Sequence, residues 1–183
     1  MDDIVKQAMA KWPNVPDCYG WLGLDARGNW YMRDDRAQSL GSFASGVPGA
    51  KGSLLQHAKL IDFIQRNYAA DDQGQWYFQN GPQRVYVELE ATPWIWRMSD
   101  DFTLATHDGR PGQWQACCMD EHGWLYCETS IGFGLLHTQD VGTAALAIEQ
   151  GLWTVGEAKL AKLPGRYGYV ISPQLLATKK PVQ

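Results

Sequence analysis

The sequence of 183 residues lacks any apolar run long enough to cross a membrane. A spanning helix needs about 20 consecutive, mostly apolar residues, and no stretch approaches that length. The N-terminal segment "MDDIVKQAMAKWP" is acidic and amphipathic and has no apolar signal-peptide core. We therefore expect a cytoplasmic protein that does not insert into a membrane.

Positive charge is also scarce. Lys and Arg total 16 against 20 Asp and Glu, which gives a formal net charge of −4. Sequence-independent binding of nucleic acid needs a basic surface that neutralises phosphates. The nearest candidate is the pair Lys179 and Lys180 in the C-terminal tail. We expect no nucleic-acid partner.

Cysteine is infrequent, and the four residues are Cys18, Cys117, Cys118 and Cys127. Thiols in the cytoplasm stay reduced. Neighbouring residues of a strand point to opposite faces, so Cys117 and Cys118 cannot bind one zinc ion together. A cysteine nucleophile needs a nearby histidine, and the spacing places neither His107 nor His137 beside one. We expect no metal site and small buried thiols.

Sequence motifs of known chemistry are missing as well. The chain has no phosphate-binding loop, no dinucleotide fingerprint, no nucleophile elbow, no zinc-protease motif and no EF-hand. We therefore predict no cofactor and name no catalytic residue. Whether the protein is an enzyme stays open, and the missing motifs favour a protein that is not one.

One short pattern occurs three times, as "DARGNWY" from residue 25, "DDQGQWY" from residue 71 and "DEHGWLY" from residue 120. Asp is favoured at the first position of a tight turn, where its side chain binds nearby backbone, and Gly accepts a positive φ. A turn of this type followed by such a Gly joins antiparallel strands. The pattern predicts three hairpins, with Asp25 opposite Asn29, Asp120 opposite Trp124 and Cys117 opposite Cys127.

Helical segments are indicated by apolar spacing at residues 2–12, 53–68 and 141–150, with Ser53 and Asp140 as N-caps. A last helical turn should begin at Ser172 and Pro173. Residues 167–172, "YGYVIS", read as a strand. Residues 34–52 are small, polar and rich in Gly, which predicts a long mobile loop.

The three turns are spaced nearly regularly, with Gly28, Gly74 and Gly123 separated by 46 and 49 residues. Regular spacing is typical of a reused α/β unit, whereas three independent hairpins would need only the same turn chemistry. We predict an α+β fold of antiparallel hairpins with packed helices, in two lobes at about residues 1–98 and 99–183.

The order of helix, hairpin, loop, helix "LLQHAKLIDFIQRNY", second hairpin and "VYVELEATPW" resembles an uncharacterised proteobacterial domain-of-unknown-function family. It is also similar to a second uncharacterised bacterial family with two lobes of repeated α/β motifs, for which signal transduction has been suggested. The likeness covers roughly residues 15–150. This chain departs from the two-lobe family in two places. It has an insertion at residues 34–52, and it reads "LEATP" where that family tends to "VEDAP". The resemblance implies a shape and no catalytic residue.

The leading functional hypothesis is a non-enzymatic protein that binds a small molecule or a protein, with a role in regulation or signalling. Alternation along "QRVYVELE" places Arg84, Tyr86 and Glu88 on one polar face, and Trp94 and Trp96 follow. We predict that the ligand lies on this face near Arg84, Tyr86 and Glu88, or against Trp94 and Trp96. The alternative is a small-molecule hydrolase that uses Glu88 with Glu90, or a Cys–His pair, brought together only in three dimensions.

Overall fold

The computed structural model describes residues 1–179 and confirms a mixed α+β fold with two sheets. The helices are α1 (Asp3–Lys11), α2 (Asp35–Leu40), α3 (Ala58–Arg66), α4 (Val141–Glu149), α5 (Leu163–Tyr167) and α6 (Pro173–Lys179), with 3₁₀ turns at Thr138–Asp140 and Leu160–Lys162. None of these helices is long and apolar enough to cross a bilayer.

The first sheet has six strands in the order β3-β2-β1-β6-β5-β4. They are β1 (Cys18–Leu24), β2 (Trp30–Met32), β3 (Ser53–Leu54), β4 (Tyr68–Ala70), β5 (Trp76–Asn80) and β6 (Gln83–Leu89). All neighbours are antiparallel except β1 and β6, which run parallel.

The second sheet has seven strands in the order β13-β10-β11-β12-β7-β8-β9. They are β7 (Trp94–Met98), β8 (Leu104–Thr106), β9 (Pro111–Gly112), β10 (Trp114–Met119), β11 (Leu125–Thr129), β12 (Gly132–Leu136) and β13 (Val155–Glu157). Here β10 pairs with β13, and β12 with β7, in parallel.

Two compact units contain the two sheets. One consists of Met1–Asp25, Asn29–Glu90 and the segment from Tyr169 onward, and the other of Ala26–Gly28 and Ala91–Gly168. These limits differ from the predicted lobes, 1–98 and 99–183. The reason is that β7 pairs with β12 of the second sheet, whereas Ile171 accepts a hydrogen bond from Leu89 of the first.

The three turns have one geometry. In each, an Asp carboxylate oxygen accepts a hydrogen bond from the backbone nitrogen four residues on, at 2.8, 2.9 and 2.9 Å for Asp25, Asp71 and Asp120. The Gly that follows has a φ of 83°, 76° and 81°. All three join antiparallel strands, and Cys117 lies opposite Cys127 as predicted.

Two more turns in the second unit share this backbone pattern without the sequence signature. They span residues 99–103 and 106–110, and each closes with a hydrogen bond between its first and fifth residues. Phe102 occupies the glycine position of the first of them and has a φ of 65°. A turn signature based on Asp and Gly alone therefore missed it.

Residues 34–52 contain more structure than the predicted mobile loop. Asp34 caps α2 by accepting a hydrogen bond from the backbone of Ala37 at 2.8 Å. The chain beyond α2 is anchored by Arg33, which is 1% exposed. Its guanidinium donates to the carbonyl oxygens of Ala50, Gly20 and Gly41, at 2.8, 3.2 and 2.6 Å.

Three local predictions were wrong. Ser53 does not cap a helix, because it pairs with Met32 in the first sheet, and α3 begins at Ala58. Asp140 makes no side-chain cap, because its carboxylate accepts hydrogen bonds from Arg97 and from the backbone of Met98. Residues 167–172 form no strand, since α5 ends at Tyr167.

Candidate ligand-binding site

The polar face predicted on β6 is open to solvent only near its beginning. Arg84 is half-buried, whereas Tyr86 is 3% exposed and Glu88 is 1% exposed. Both faces of this strand are covered from Tyr86 to Leu89, and α6 packs against it. The simple alternation of an exposed and a buried face does not hold here.

Glu88 is occupied by the C-terminal segment. Its carboxylate accepts hydrogen bonds from the hydroxyl of Ser172 and, at 3.0 Å, from the backbone nitrogen of Gln174. Burial raises the pKa of Glu88, and these hydrogen bonds with the charge of Arg33 lower it in part. Glu88 therefore holds α6 against the sheet and presents no free oxygen to a ligand.

Trp94 and Trp96 lie on β7 in the second unit and are 4% and 0% exposed. A Cβ atom added to Gly132 would lie 3.1 Å from Nε1 of Trp94, and one added to Gly134 would lie 2.7 Å from Nε1 of Trp96. Such close approach fixes both indoles in the interior, and neither offers an exposed stacking face. Their position excludes the predicted role of a surface anchor.

Tyr86 connects Arg84 to one of the three turns. Its hydroxyl donates to Oδ2 of Asp71 at 3.2 Å, and its ring stacks on Tyr19 with centroids 4.6 Å apart. Burial is the main reason that the pKa of Tyr86 rises to about 12. Tyr86 therefore stays neutral and can both donate to Asp71 and accept from Arg84.

Arg84 is held in place by Tyr86 and Tyr77, and the carboxylate of Asp17 attracts it without forming an ion pair. Its hydrogen bond with Tyr86 raises the pKa of the guanidinium, and the guanidinium carbon lies 4.7 Å from the ring centroid of Tyr77. None of the ion pairs found in residues 1–179 involves Arg84 or Asp17. Both charged groups can therefore pair with a bound molecule.

A cavity of about 540 Å³ lies beside Arg84, lined by Met9, residues 12–17, Gln79, Pro82 and Arg84. This volume is typical of small-molecule sites, about 300–1,000 Å³. One wall is the connection between α1 and β1, and the other is the hairpin of β5 and β6, in which Gln79 pairs with Arg84. Trp12 is 51% exposed at this wall.

Gln79 is a buried residue beside the cavity. It is 1% exposed, and its Nε2 donates to the carbonyl oxygen of Gly81 at 2.9 Å. Its Oε1 receives no hydrogen bond from any described residue. Buried polar groups are rarely left in this state, but the oxygen has almost no accessible surface and is not open to a bound group. The predicted hairpin at Asn80 and Gly81 already implied that Gln79 lies near Arg84.

A second cavity, of about 630 Å³, lies in the other unit and is lined mainly by β13, the 3₁₀ turn after it and α5. Lys159, Lys162 and Arg166 are exposed there. Two of the three carboxylates at its wall have protein partners, since Asp120 accepts from its own turn and Glu121 from Leu160 at 2.9 Å. Its lining lacks a buried polar group like that of Gln79 among the described residues.

The groups suggested for a hydrolase are not brought together. Glu90 lies 2.7 Å from Lys51 in an ion pair, and Glu88 is covered by α6. Burial raises the pKa of Cys117, Cys118 and Cys127, which opposes formation of a nucleophilic thiolate. Within residues 1–179, no cluster of three or more metal-ligating side chains could hold an ion.

Comparison with known proteins gives a family without an assigned role. The model of the family DUF2944, described as "Protein of unknown function (DUF2946)", matches residues 1–174. No curated protein matches the chain. This family match confirms the expected resemblance to an uncharacterised domain of unknown function.

Two solved structures, both of DUF1285 family proteins, are similar to this chain. The protein from Silicibacter pomeroyi DSS-3 is 11% identical with a TM-score of 0.46, over 79% of this chain and 83% of that one. The protein from Shewanella baltica OS155 is 13% identical with a TM-score of 0.44, over 69% of this chain and 91% of that one.

Proposed function

The chain belongs to the DUF2944 family of proteins of unknown function, and we propose that it is a cytoplasmic, non-enzymatic protein that binds a small molecule beside Arg84. The observation that carries this proposal is the cavity of about 540 Å³ at the β5–β6 hairpin. Its wall combines the guanidinium of Arg84, which forms no ion pair within the described residues, with the exposed carboxylate of Asp17.

The predicted ligand residues take different roles in this proposal. Arg84 contacts the ligand, and Tyr86 positions it through their hydrogen bond. Glu88 does not contact the ligand; its carboxylate accepts a hydrogen bond from Gln174 and so holds α6 against the first sheet. Trp94 and Trp96, buried in the second unit, serve packing.

A small molecule suits the cavity better than a nucleic acid does. Binding to a phosphate backbone needs several cations, and the cavity wall contains Arg84 as its one cation, together with the carboxylate of Asp17. A concave site with apolar walls and a few polar groups is typical of small-molecule binding.

A thermal-shift screen against metabolites and nucleotides tests this proposal, because a ligand that binds the native state raises the melting temperature. Hits are then titrated against the wild-type protein, Arg84→Ala and the control Arg36→Ala, which removes an exposed arginine of the same unit. We expect Arg84→Ala to weaken binding about tenfold or more and Arg36→Ala to leave it unchanged. Equal affinity in all three proteins, or no hit, would reject the proposed site.

A further inference from the structure

We propose that α1 is a lid on the cavity beside Arg84, and that it opens as one unit while the first sheet stays folded. The inference goes beyond the proposed function and does not depend on a ligand, because the motion is measured on the free protein. It follows from the exposure of α1, from the position of its attachments and from its share of the cavity wall.

α1 is the most exposed of the three helices that have nine residues. Six of its residues are exposed, against four in α3 and five in α4. Val5 is its one buried residue, at 1% exposed, and Ala8 and Met9 on the same face are half-buried. A helix this short is marginal in water unless it packs against something. Val5 therefore provides much of the apolar contact that keeps α1 folded.

The polar attachments of α1 lie beyond its two ends. The backbone nitrogen of Asp2 donates to Oδ1 of Asn67 at 2.8 Å, and its carboxylate lies 3.3 Å from Nε of Arg66. On the other side, Gln83 donates to the carbonyl oxygen of Pro16 at 3.0 Å. The side chain of Arg66 is 56% exposed, and exposed ion pairs contribute little to stability.

The helix between these attachments makes no polar contact with its surroundings. In the part of the chain that the structure describes, the hydrogen bonds and the ion pair of residues 3–12 all stay within residues 2–12. Residues 13–15, which follow, lie in no helix or strand. α1 can therefore swing about residues 13–15 once Val5 and Asp2 lose their contacts.

This motion would open the cavity on one side only. Met9 and Trp12 belong to the moving wall, whereas Pro82 and Arg84 belong to the β5–β6 hairpin. The hairpin stays in place because β6 is paired with both β1 and β5. Trp12 is already 51% exposed when α1 is docked, so it loses few contacts when the helix leaves. The position of α1 therefore sets the width of the cavity.

Hydrogen exchange measured by mass spectrometry tests the proposal at several urea concentrations. An undocked α1 exchanges its amides, because nine residues do not hold a helix on their own. We expect α1 to be less protected than β6 and its exchange to depend less on urea, because a local opening exposes less surface than global unfolding. Equal protection and equal urea dependence in α1 and β6 would overturn the proposal.

Three variants separate local opening from global unfolding. Val5→Ala should accelerate exchange in α1 about tenfold, because it removes buried apolar surface. Ile4→Ala, at a neighbouring position that is 71% exposed, should change it by no more than about twofold. Val87→Ala should accelerate exchange in β6 about tenfold and leave α1 unchanged, because the docked and open forms both contain the folded sheet. If Val87→Ala accelerates both equally, α1 opens only by global unfolding and the proposal falls.

A cysteine on the fixed wall tests whether the opening of α1 exposes the cavity. Pro82→Cys places a thiol there at a half-buried position, and fluorescein maleimide is a bulky probe of its accessibility. Labelling of this cysteine should be faster in combination with Val5→Ala and unchanged in combination with Ile4→Ala. If Val5→Ala accelerates exchange in α1 but not this labelling, α1 moves without acting as a lid. Neither result bears on whether Arg84 binds a small molecule.

Discussion

Glu88 on β6 accepts a hydrogen bond at 3.0 Å from the backbone nitrogen of Gln174, 86 residues away in the first turn of α6. The other carboxylate oxygen accepts from Ser172. A helix begins with backbone N–H groups that have no intrahelical partner, and here a buried carboxylate satisfies one of them. This bond fastens the C-terminal segment to the first sheet.

Glu88 should make stability depend on pH. Burial raises the pKa of Glu88 in the folded protein above the value of about 4.3 that an unfolded chain has. The folded state then binds the proton more tightly, so the free energy of unfolding decreases as the pH rises from about 4 through the raised pKa. Glu88→Gln removes this dependence, and urea unfolding of both proteins at pH 4 to 8 measures it.

The matched control for Glu88 is Glu149→Gln, at an exposed position of α4. The difference in unfolding free energy between this variant and the wild type should be constant over the same pH range. If the difference in unfolding free energy between Glu88→Gln and the wild type is also constant over this pH range, burial does not raise the pKa of Glu88 as argued.

Arg33→Met should loosen residues 41–52. The substitution removes the three hydrogen bonds to Ala50, Gly20 and Gly41 and leaves buried carbonyl groups without donors. Leaving a buried carbonyl group without a donor costs roughly 1–3 kcal/mol. Hydrogen exchange should accelerate in residues 41–52, whereas Arg36→Met should leave it unchanged. Unaltered exchange after Arg33→Met would show that this segment does not depend on the guanidinium.

Asp120→Ala should destabilise the third turn. Its carboxylate accepts from the backbone of His122 and Trp124, both at 2.9 Å, and from the hydroxyl of Tyr126 at 3.0 Å. Losing these acceptors costs about 2 kcal/mol or more, measured by chemical unfolding, against about 0.5 kcal/mol or less for exposed Asp100→Ala. The double variant Asp120→Ala with Tyr126→Phe should lose less unfolding free energy than the sum of the two single variants. Strict additivity would mean that the hydrogen bond between Tyr126 and Asp120 contributes no energy.

Two Gly→Ala substitutions should have opposite signs. Gly123 has a φ of 81° and Gly142 lies in α4, and an added Cβ atom would meet nothing within 4 Å at either position. Gly123→Ala should cost about 1 kcal/mol, because the left-handed region is strained for alanine. Gly142→Ala should stabilise by about 0.5 kcal/mol, because alanine favours the helix. Thermal unfolding of both variants tests this prediction. It would be refuted if both substitutions stabilised the protein or both destabilised it.

The repeated turns could be predicted because their hydrogen bonds close within five residues. Asp25, Asp71 and Asp120 bind backbone four positions on, and the following Gly takes a conformation that few other residues accept. The same local geometry determined the register that sets Cys117 opposite Cys127. The further hypothesis of a repeated α/β unit stays a prediction.

The candidate site could be predicted only in part. Arg84 belongs to a hairpin whose turn was evident, so its pairing with Gln79 follows from nearby residues. The second wall, residues 12–17, reaches that hairpin through the parallel pairing of β1 with β6. Apolar and polar alternation along a strand carries no information about which distant segment covers each face.

The sequence by itself determined the class of fold and the tight turns, since both depend on side chains acting on their own neighbourhood. Tertiary structure alone decided that Glu88 is buried beneath α6, that Arg33 orders residues 41–52, and that Trp94 and Trp96 are interior. These outcomes depend on contacts between residues far apart in the chain. The energies of these contacts come from burial and from hydrogen bonds to buried polar groups. Local sequence propensity does not include either contribution.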